Sequence, residues 1–476
     1  MSSNSLLDSL LNSSTNSSST NPIDISSILS ATSGNAAAID VNTAVAAAIY
    51  ADRAPERVWQ ADQTTLSNES SALTQIENAT TSVANDLQSL NTLDGPLAAR
   101  TVTSSGSDVT ATAAAGTAAG THTVTVNSLA TTGSWYSALE SSATSALPTS
   151  SFTIKTASGA SQTFSTGSGT SGDNLNDLAS AINAASLGVT ASVVTDADGA
   201  RISVVANSSG AAADFSVTSG SGFSFTQATA GANASLTIDG VPVSSASNTV
   251  TGAIAGVTLN LQGASQTQET LTVASDANQV SDAINQFVTD YNTLVGLVNT
   301  QFTADSNGNE GPLGSDSTIV NLQSALQQAL NYAATPASGS TTTVSNLNDL
   351  GITQNNDGTL SVDTTTLDSA LINNPNGVQN FFEGSALNGF ANSFGTTLNT
   401  FTDPAQGAFT LDLQGISAQN TDLTNEINDF ETNYIANQQT VLTAAYSNAE
   451  EALQALPTEE KQIQAELGNN GSGSSS

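Results

Sequence analysis

The residues able to do chemistry in this chain are few. Its single histidine, His122, alternates with Val124 and Val126 along a period-two stretch. A lone imidazole lacks the base, nucleophile or co-ligands that catalysis or zinc binding needs, so His122 reads as a packed strand residue. Asp305, Asn307 and Asn309, with Asp316 at the twelfth place, set oxygen donors at the spacing of a calcium loop. The sixth place is Glu310, where the sharp bend of such a loop requires glycine, and the stretch reads instead as a polar connection between helices. Trp135-Tyr136 has the make-up of a sugar-stacking platform, although an aromatic pair at a domain hinge is more often packing. Asp198-Gly199, Asp239-Gly240 and Asp357-Gly358 are turn chemistry, in which glycine supplies positive φ and aspartate bonds its own backbone. With no cysteine, disulfides, thiolate catalysis and thiolate metal sites are all removed. No set of nucleophile, base and orienting group stands out, which implies no enzyme, no cofactor and no metal.

Charge narrows the partners. Six Lys plus Arg stand against 41 Asp plus Glu, a formal net charge of −35. Such a chain has no cationic cluster with which to release counterions from nucleic acid or an anionic membrane. Only 10% of residues are charged, so the surface is mainly Ser, Thr, Asn and Gln. The N-terminus has neither a basic region nor a long apolar run, which argues against a Sec signal, and no apolar run reaches a membrane span.

The elements that must hold these residues begin with a heptad. Trp59, Leu66, Leu73, Thr80 and Leu87 recur in sevens, and Ile76, Val83 and Leu90 follow three residues on; this is a coiled-coil seam. One narrow apolar stripe cannot be buried alone. A matching stripe lies at the far end of the chain, in Leu413, Ile416, Leu423, Ile427, Phe430, Tyr434 and Val441, interrupted by Asn420 and Asn437. The two ends are expected to pair within one subunit, leaving everything between them as an insertion.

The expected fold is therefore α+β and multidomain: a helical coiled-coil stalk of paired N- and C-terminal segments carrying two nested β-rich head domains. Residues 1-58 are a disordered and terminal helical segment, with apolar islands such as Leu6, Leu7, Leu10 and Leu11 too small to fold alone. Residues 59-99 form the stalk helix, pairing with 275-440. One β-rich head is split between 100-130 and 232-274, and 131-231 forms a second, inserted one: strands at Phe152 to Ile154 and Gln162 to Phe164, a helix from Asn174, and a hairpin on Asp198-Gly199. Asp276 should cap a helix bearing Val280, Ile284, Phe287 and Tyr291. Residues 441-476 are a terminal helix, interrupted at Pro457, and a flexible tail.

Several stretches resemble the bacterial flagellar hook-associated protein 2 family. Leu175 to Val193 looks like the flagellin-type IN motif around Ile182-Asn183. More specific is the order Ile238-Asp239-Gly240, Ser247-Asn248-Thr249, Gly256-Val257, Leu271-Thr272-Val273 and Asp276, running into Phe287 and Tyr291-Asn292. Leu350-Gly351-Ile352, Asp357-Gly358, Leu367, Leu371 and Phe381-Phe382 continue the match. By this resemblance the protein caps the distal tip of the flagellar filament, outside the cell, guiding incoming flagellin into the growing end. The resemblance further implies a ring-shaped homo-oligomer, in all expectation a homopentamer, contact with flagellin and the hook-filament junction proteins, a cytosolic export chaperone, and exit through the flagellar type III apparatus. The rival reading is an extracellular glycan-binding adhesin, or another flagellar axial protein.

Overall fold

A computed structural model of the chain describes residues 40–306, 308–334, 344–384 and 386–470. The N-terminal islands, Asn307 of the calcium-like loop and the last residues of the tail lie outside the described residues. Helix α1 (Val41–Asp52) starts on Asp40, whose carboxylate accepts the amides of Asn42 and Thr43 at 3.1 and 3.3 Å and so satisfies donors that a first helical turn leaves orphaned. Helix α2 (Ala54–Ser89) follows after one residue, with Pro55 in its first turn, where a missing N–H costs nothing.

Beyond α2 the chain becomes β structure. The strands are β1 (Arg100–Ser104), β2 (Val109–Ala113), β3 (Gly120–Ser128), β4 (Ser134–Ser137), β5 (Ser150–Thr156) and β6 (Ser161–Thr166); then, after helix α3 (Leu175–Ala184), β7 (Val189–Asp196), β8 (Gly199–Ala206), β9 (Phe215–Ser219) and β10 (Phe225–Thr229). The run closes with β11 (Ala234–Ile238), β12 (Val241–Ser245), β13 (Thr249–Ile254), β14 (Val257–Leu261) and β15 (Gln268–Ser275). Helices resume as α4 (Ala277–Phe302) and α5 (Ser317–Leu330). A small hairpin of β16 (Ile352–Gln354) and β17 (Leu360–Val362) precedes α6 (Thr364–Asn373), α7 (Pro375–Glu383), α8 (Phe390–Thr402) and α9 (Ala408–Asp429), and a π-helical turn, Phe430–Ile435, leads into α10 (Ala436–Asn470).

Two β bodies result, as the pattern implied. The head is a five-stranded sheet in the order β1-β15-β3-β11-β12 with a three-stranded sheet β13-β14-β2, closed over Val124, Leu236, Leu259 and Leu271. The insert has sheets β6-β5-β9 and β10-β4-β8-β7, with α3 covering their core. Phe152 anchors that core, stacked on Phe164 at 5.4 Å and tilted against Phe225 at 4.7 Å, contacts that add to the burial of their apolar area. Strand β4 was not legible: four residues containing the Trp135-Tyr136 pair carry no alternation long enough to read.

The described residues divide into two compact units: one holds those up to Thr81, those of Leu294–Ala325 and those from Leu398; the other holds those of Ser82–Thr293 and Leu326–Thr397. Helices α2 and α4 are long enough to contribute to both, so this division cuts across the expected 59-99 and 275-440 stalk. In the first unit, Trp59 meets Phe430 edge-on at 5.3 Å and Gln63 Nε2 donates to Thr424 Oγ1 at 2.9 Å. As the number rises on α2 it falls on the partner, so this stretch of α2 and α9 run antiparallel. In the second unit, Asp86 of α2 meets Asp290 of α4, so the later part of the seam has a different partner from the earlier part.

Three expectations are corrected by the geometry. Tyr434 and Val441 are exposed, at 42% and 61%, while Ile435 is buried at 3% and packs with Val45 and Ile49 beside Leu442 and Tyr446. The reason is the π turn, which spends one extra residue and rotates everything after Phe430 by one position. Pro457 does not end α10, which continues to Asn470; an interior proline removes one hydrogen bond and crowds one carbonyl but need not stop a helix. His122 is half-exposed rather than packed, its Nδ1 lying 2.7 Å from Asp239 Oδ2.

The seam makes a direct prediction. Replacing Leu87, fully buried, by Asp leaves an uncompensated charge in the helical core and should cost on the order of 3–5 kcal/mol. Circular dichroism should show a lower melting temperature and lost helix, with hydrogen-exchange protection retained in the β strands of the insert. Unchanged melting would mean that the stripe bears no load.

Candidate functional site

The motif residues share a physical role. Asn183, at the end of α3, accepts the Ala191 amide at 2.8 Å and donates to the Ala191 carbonyl at 2.9 Å. Asn248 does the same to Ala130, at 2.7 and 3.0 Å, and Asn292 of α4 to Leu360, at 2.6 and 2.8 Å. A carboxamide presents one acceptor and two donors in a plane, so it can substitute for a strand neighbour on a single residue. Each clamp joins two segments without a charge, Asn183 reaching the strand that follows its own helix and the other two reaching across far longer separations. Truncation would leave one N–H and one C=O unpartnered, worth about 1–3 kcal/mol where they are buried.

The remaining motif residues are packing and turn devices. Ile182 is fully buried beneath α3. Gly256 has φ of +75° in the tight turn between β13 and β14, and a Cβ there would sit 2.4 Å from Thr117 Oγ1, so no other residue fits unstrained. Phe287 and Tyr291 on α4 enter an aromatic box: Phe287 meets Phe390 edge-on at 6.0 Å, Tyr291 meets Phe394 at 6.2 Å, and Phe381 stacks on Phe390 at 5.2 Å. Burial pushes the Tyr291 phenol above its ordinary value. Phe390 and Phe394 were missed by motif reading, although their four-residue spacing is the signal of a buried helical face.

The seam candidates divide by depth. Leu73, Ile76, Val83, Leu87 and Leu90 are buried to 1% or less. Thr80 fits between them because its hydroxyl donates to the Ile76 carbonyl at 2.7 Å. Leu66 and Leu423 are half-buried and line one open groove with Asp62, Asp422 and Glu426. Ile427 and Phe430 are half-buried, and the exposed Tyr434 ring stacks on Phe430 at 5.1 Å.

Carboxyl groups meet at three contacts between helical segments, where few cations exist to separate them. Glu56 is raised by burial and then by the Glu431 carboxyl, against the opposing pull of Arg53, whose guanidinium reaches Glu56 at 3.1 Å and Glu431 at 2.6 Å. Glu69 is raised by burial and then by Asp316. Burial, followed by the hydrogen bond that its protonated carboxyl donates to Asp290, pushes Asp86 up to about 7. In the head, Glu269 is buried and accepts the Asp108 amide at 2.8 Å and the Ser104 hydroxyl at 2.8 Å, which shapes the β1–β2 connection.

The earlier chemical candidates are spent on structure. Trp135 donates its indole N–H to the Phe215 carbonyl at 3.1 Å and packs on the insert core. Asp305 turns its own loop by accepting the Asn309 amide at 2.9 Å, and Asp316 caps α5 through the Thr318 amide at 2.6 Å. Among the described residues no three His, Cys, Asp or Glu side chains gather as a metal site. The arrangement is one that holds backbone in place.

The Asp86 pair sets a pH dependence. Its carboxyl titrates near 7 when folded against 3.8 as a free side chain, so the folded state binds more protons between these values. The stability it confers is complete below about 4 and is lost as pH rises through about 7. Asp86→Asn, which resembles the protonated form, should melt higher than the parent chain at pH 8, and the difference should close by pH 5. Cap carboxylates act oppositely: hydrogen bonds from Thr366 hold Asp363 below its ordinary value, and their contribution fades only as pH falls below about 4. Equal melting of parent and variant at pH 8 would show that Asp86 carries no such burden.

Comparison with known proteins points one way. Family models match as Flagellar hook-associated protein 2 N-terminus over residues 37–133, Flagellin hook IN motif over 151–208, and Flagellar hook-associated protein 2 C-terminus over 231–457. The chain is 32% identical over 371 residues to the B-type flagellar hook-associated protein 2 of Pseudomonas aeruginosa, covering 71% of this chain and 76% of that one. It is 28% identical over 219 residues to the flagellar hook-associated protein 2 of Salmonella typhimurium, covering 43% and 46%. The D1-D2-D3 domains of the flagellar cap protein of Escherichia coli superpose with a TM-score of 0.55 at 26% identity, covering 73% of this chain and 99% of that one.

Proposed function

The chain belongs to the flagellar hook-associated protein 2 family, and from that premise we propose that it works as the structural cap at the distal tip of the bacterial flagellar filament, guiding flagellin polymerisation and preventing loss of secreted subunits. The observation that carries this reading is the order of matched segments, which runs through the helices on both sides as well as through the β bodies. The family is a structural one, and we read this member as acting by geometry without catalysis. An adhesin reading is not favoured: Trp135, half of the aromatic pair suited to stacking a sugar, gives its indole to the insert core.

Within the proposal, residues 59-99 and 275-440 form the leg, 100-130 with 232-274 and 131-231 form the two bodies of the plate, and the seam residues Leu66, Leu73, Ile76, Val83, Leu87, Leu90, Leu423, Ile427 and Phe430 hold the leg together. The protein assembles on itself as a ring, read as a homopentamer, and meets flagellin and the hook-filament junction proteins. Export through the flagellar type III apparatus with a cytosolic chaperone completes the reading. No described helix is long and apolar enough to cross a membrane.

A strain lacking this protein, and holding no second cap gene, should shed flagellin into the medium and carry short or missing filaments. Blotting of spent medium and electron microscopy of filament tips measure both effects. Full-length filaments and normal swimming in that strain would overturn the cap assignment.

A further inference from the structure

The insert leaves the head after Ala130 and returns before Ala234, and two strands alone make a hinge. Here they do not run free. The two connecting strands bridge one another, Thr131 donating its amide to Ala232 at 2.9 Å and accepting in return at 3.2 Å, with the Thr131 hydroxyl on the Ala230 carbonyl at 2.8 Å. The end of β12 and the loop that follows it in the head, together residues 244–248, then reach both the exit peptide and the body of the insert. Asn248 clamps Ala130 at its amide and carbonyl. Ser209 of the insert donates its hydroxyl to Ala246 of the loop at 2.7 Å. Asn233 spans the gap, accepting the Ala211 amide of the insert at 2.8 Å and donating to Ser244 Oγ of the head at 3.1 Å.

Contact at this collar is close as well as hydrogen-bonded. Gly210 has φ of +99°, and a Cβ on it would stand 2.8 Å from the Ala246 Cβ and 2.9 Å from its carbonyl. Gly231, on the returning strand, would place a Cβ 2.8 Å from Asp214 Cβ and 3.0 Å from the Gly210 carbonyl. Backbone meets backbone here, and a side chain has no room. The two cores themselves are separate clusters with no shared residue, so their relative orientation is set by the collar and not by a common hydrophobic interior.

We propose that segment 244–248 is a positioning device that locks the insert to the head, with Asn248 and Gly210 as the two determinants of the lock, so that the two β bodies move as one. The bonds involved are neutral, so the lock should be insensitive to ionic strength, unlike one built from surface ion pairs. A merely structural role for Asn248 would lower stability and leave orientation unchanged; a positioning role loosens orientation while both cores persist.

The chain has no cysteine, so a pair introduced on exposed positions, Ser161→Cys in the insert and Thr251→Cys in the head, can carry spin labels on the full chain. The parent should give one narrow distance distribution, unchanged between low and high salt. Asn248→Ala and Gly210→Val should each broaden it at least about twofold, or split it, while amide exchange in both β cores stays as in the parent. Asn248→Asp, which keeps the acceptor but loses the donor to Ala130, should fall between. A distribution as narrow as the parent's in both Asn248→Ala and Gly210→Val would overturn the proposal. So would broadening that occurs only together with loss of core protection in Asn248→Asp, the mildest of the variants.

Discussion

The structure depends on the stripe that runs along α2. Leu73, Ile76, Thr80, Val83, Leu87 and Leu90 vanish from solvent over about two and a half heptads, and none of that burial is available to the helix alone. Partners of the same helix come from hundreds of residues later: Thr424 meets Gln63 and Phe430 meets Trp59 on one stretch, and Asp290 meets Asp86 on another. The β bodies lie between these partners in sequence and close on their own cores, so their folding does not depend on the helices being paired first. Contacts of this separation are slow to form because the intervening chain must be ordered before they are rewarded. Independent β bodies shorten the effective loop.

A chain with few cations has to join its elements by other means, and it uses carboxamides, hydroxyls and protonated carboxyls. The Asn248 and Asn292 clamps cross between segments that are neighbours only in the fold, Asn183 ties its helix to the next strand, and each satisfies both the N–H and the C=O of one residue. Where two acids are brought together, as at Asp86 and Asp290, retention of a proton takes the place of a missing lysine. Arg53 shows the alternative: one guanidinium serves both Glu56 and Glu431 at the break between α1 and α2. Linkages that carry no charge keep their strength as ionic strength changes.

The π turn at Phe430–Ile435 shows how one residue redirects a surface. Before it, Leu423 lines a groove with Leu66 of α2 and Phe430 meets Trp59; after it, Ile435 joins Val45 and Ile49 of α1, with Leu442 and Tyr446 packed against them. Without the extra residue Tyr434 and Val441 would occupy those positions, and the cluster around Val45 and Ile49 would be lost. The inner face of α10 is thereby matched to α1, and Tyr434 and Val441 are left on its outside.

Periodicity and turn chemistry, which are local, were readable from the residues. The heptad of α2, the split head strands, the insert with α3 and its Asp198-Gly199 hairpin, and the Asp276 cap all follow from spacing and from which residue types tolerate positive φ. The same signals identified the family, because its motifs are largely turn glycines and clamp asparagines that the backbone demands. Tertiary structure decided what local spacing cannot carry. Which partner faces each part of the α2 stripe depends on where α9 begins and α4 passes; the shift from Tyr434 to Ile435 depends on a bulge that leaves no compositional mark. The clamps of Asn183, Asn248 and Asn292 depend on which peptide lies opposite, and an asparagine looks the same in sequence whether it faces water or a strand edge. Hydrophobic pattern is written along the chain, whereas polar pairing is written between distant parts of it, and only the folded geometry brings those parts within hydrogen-bond reach.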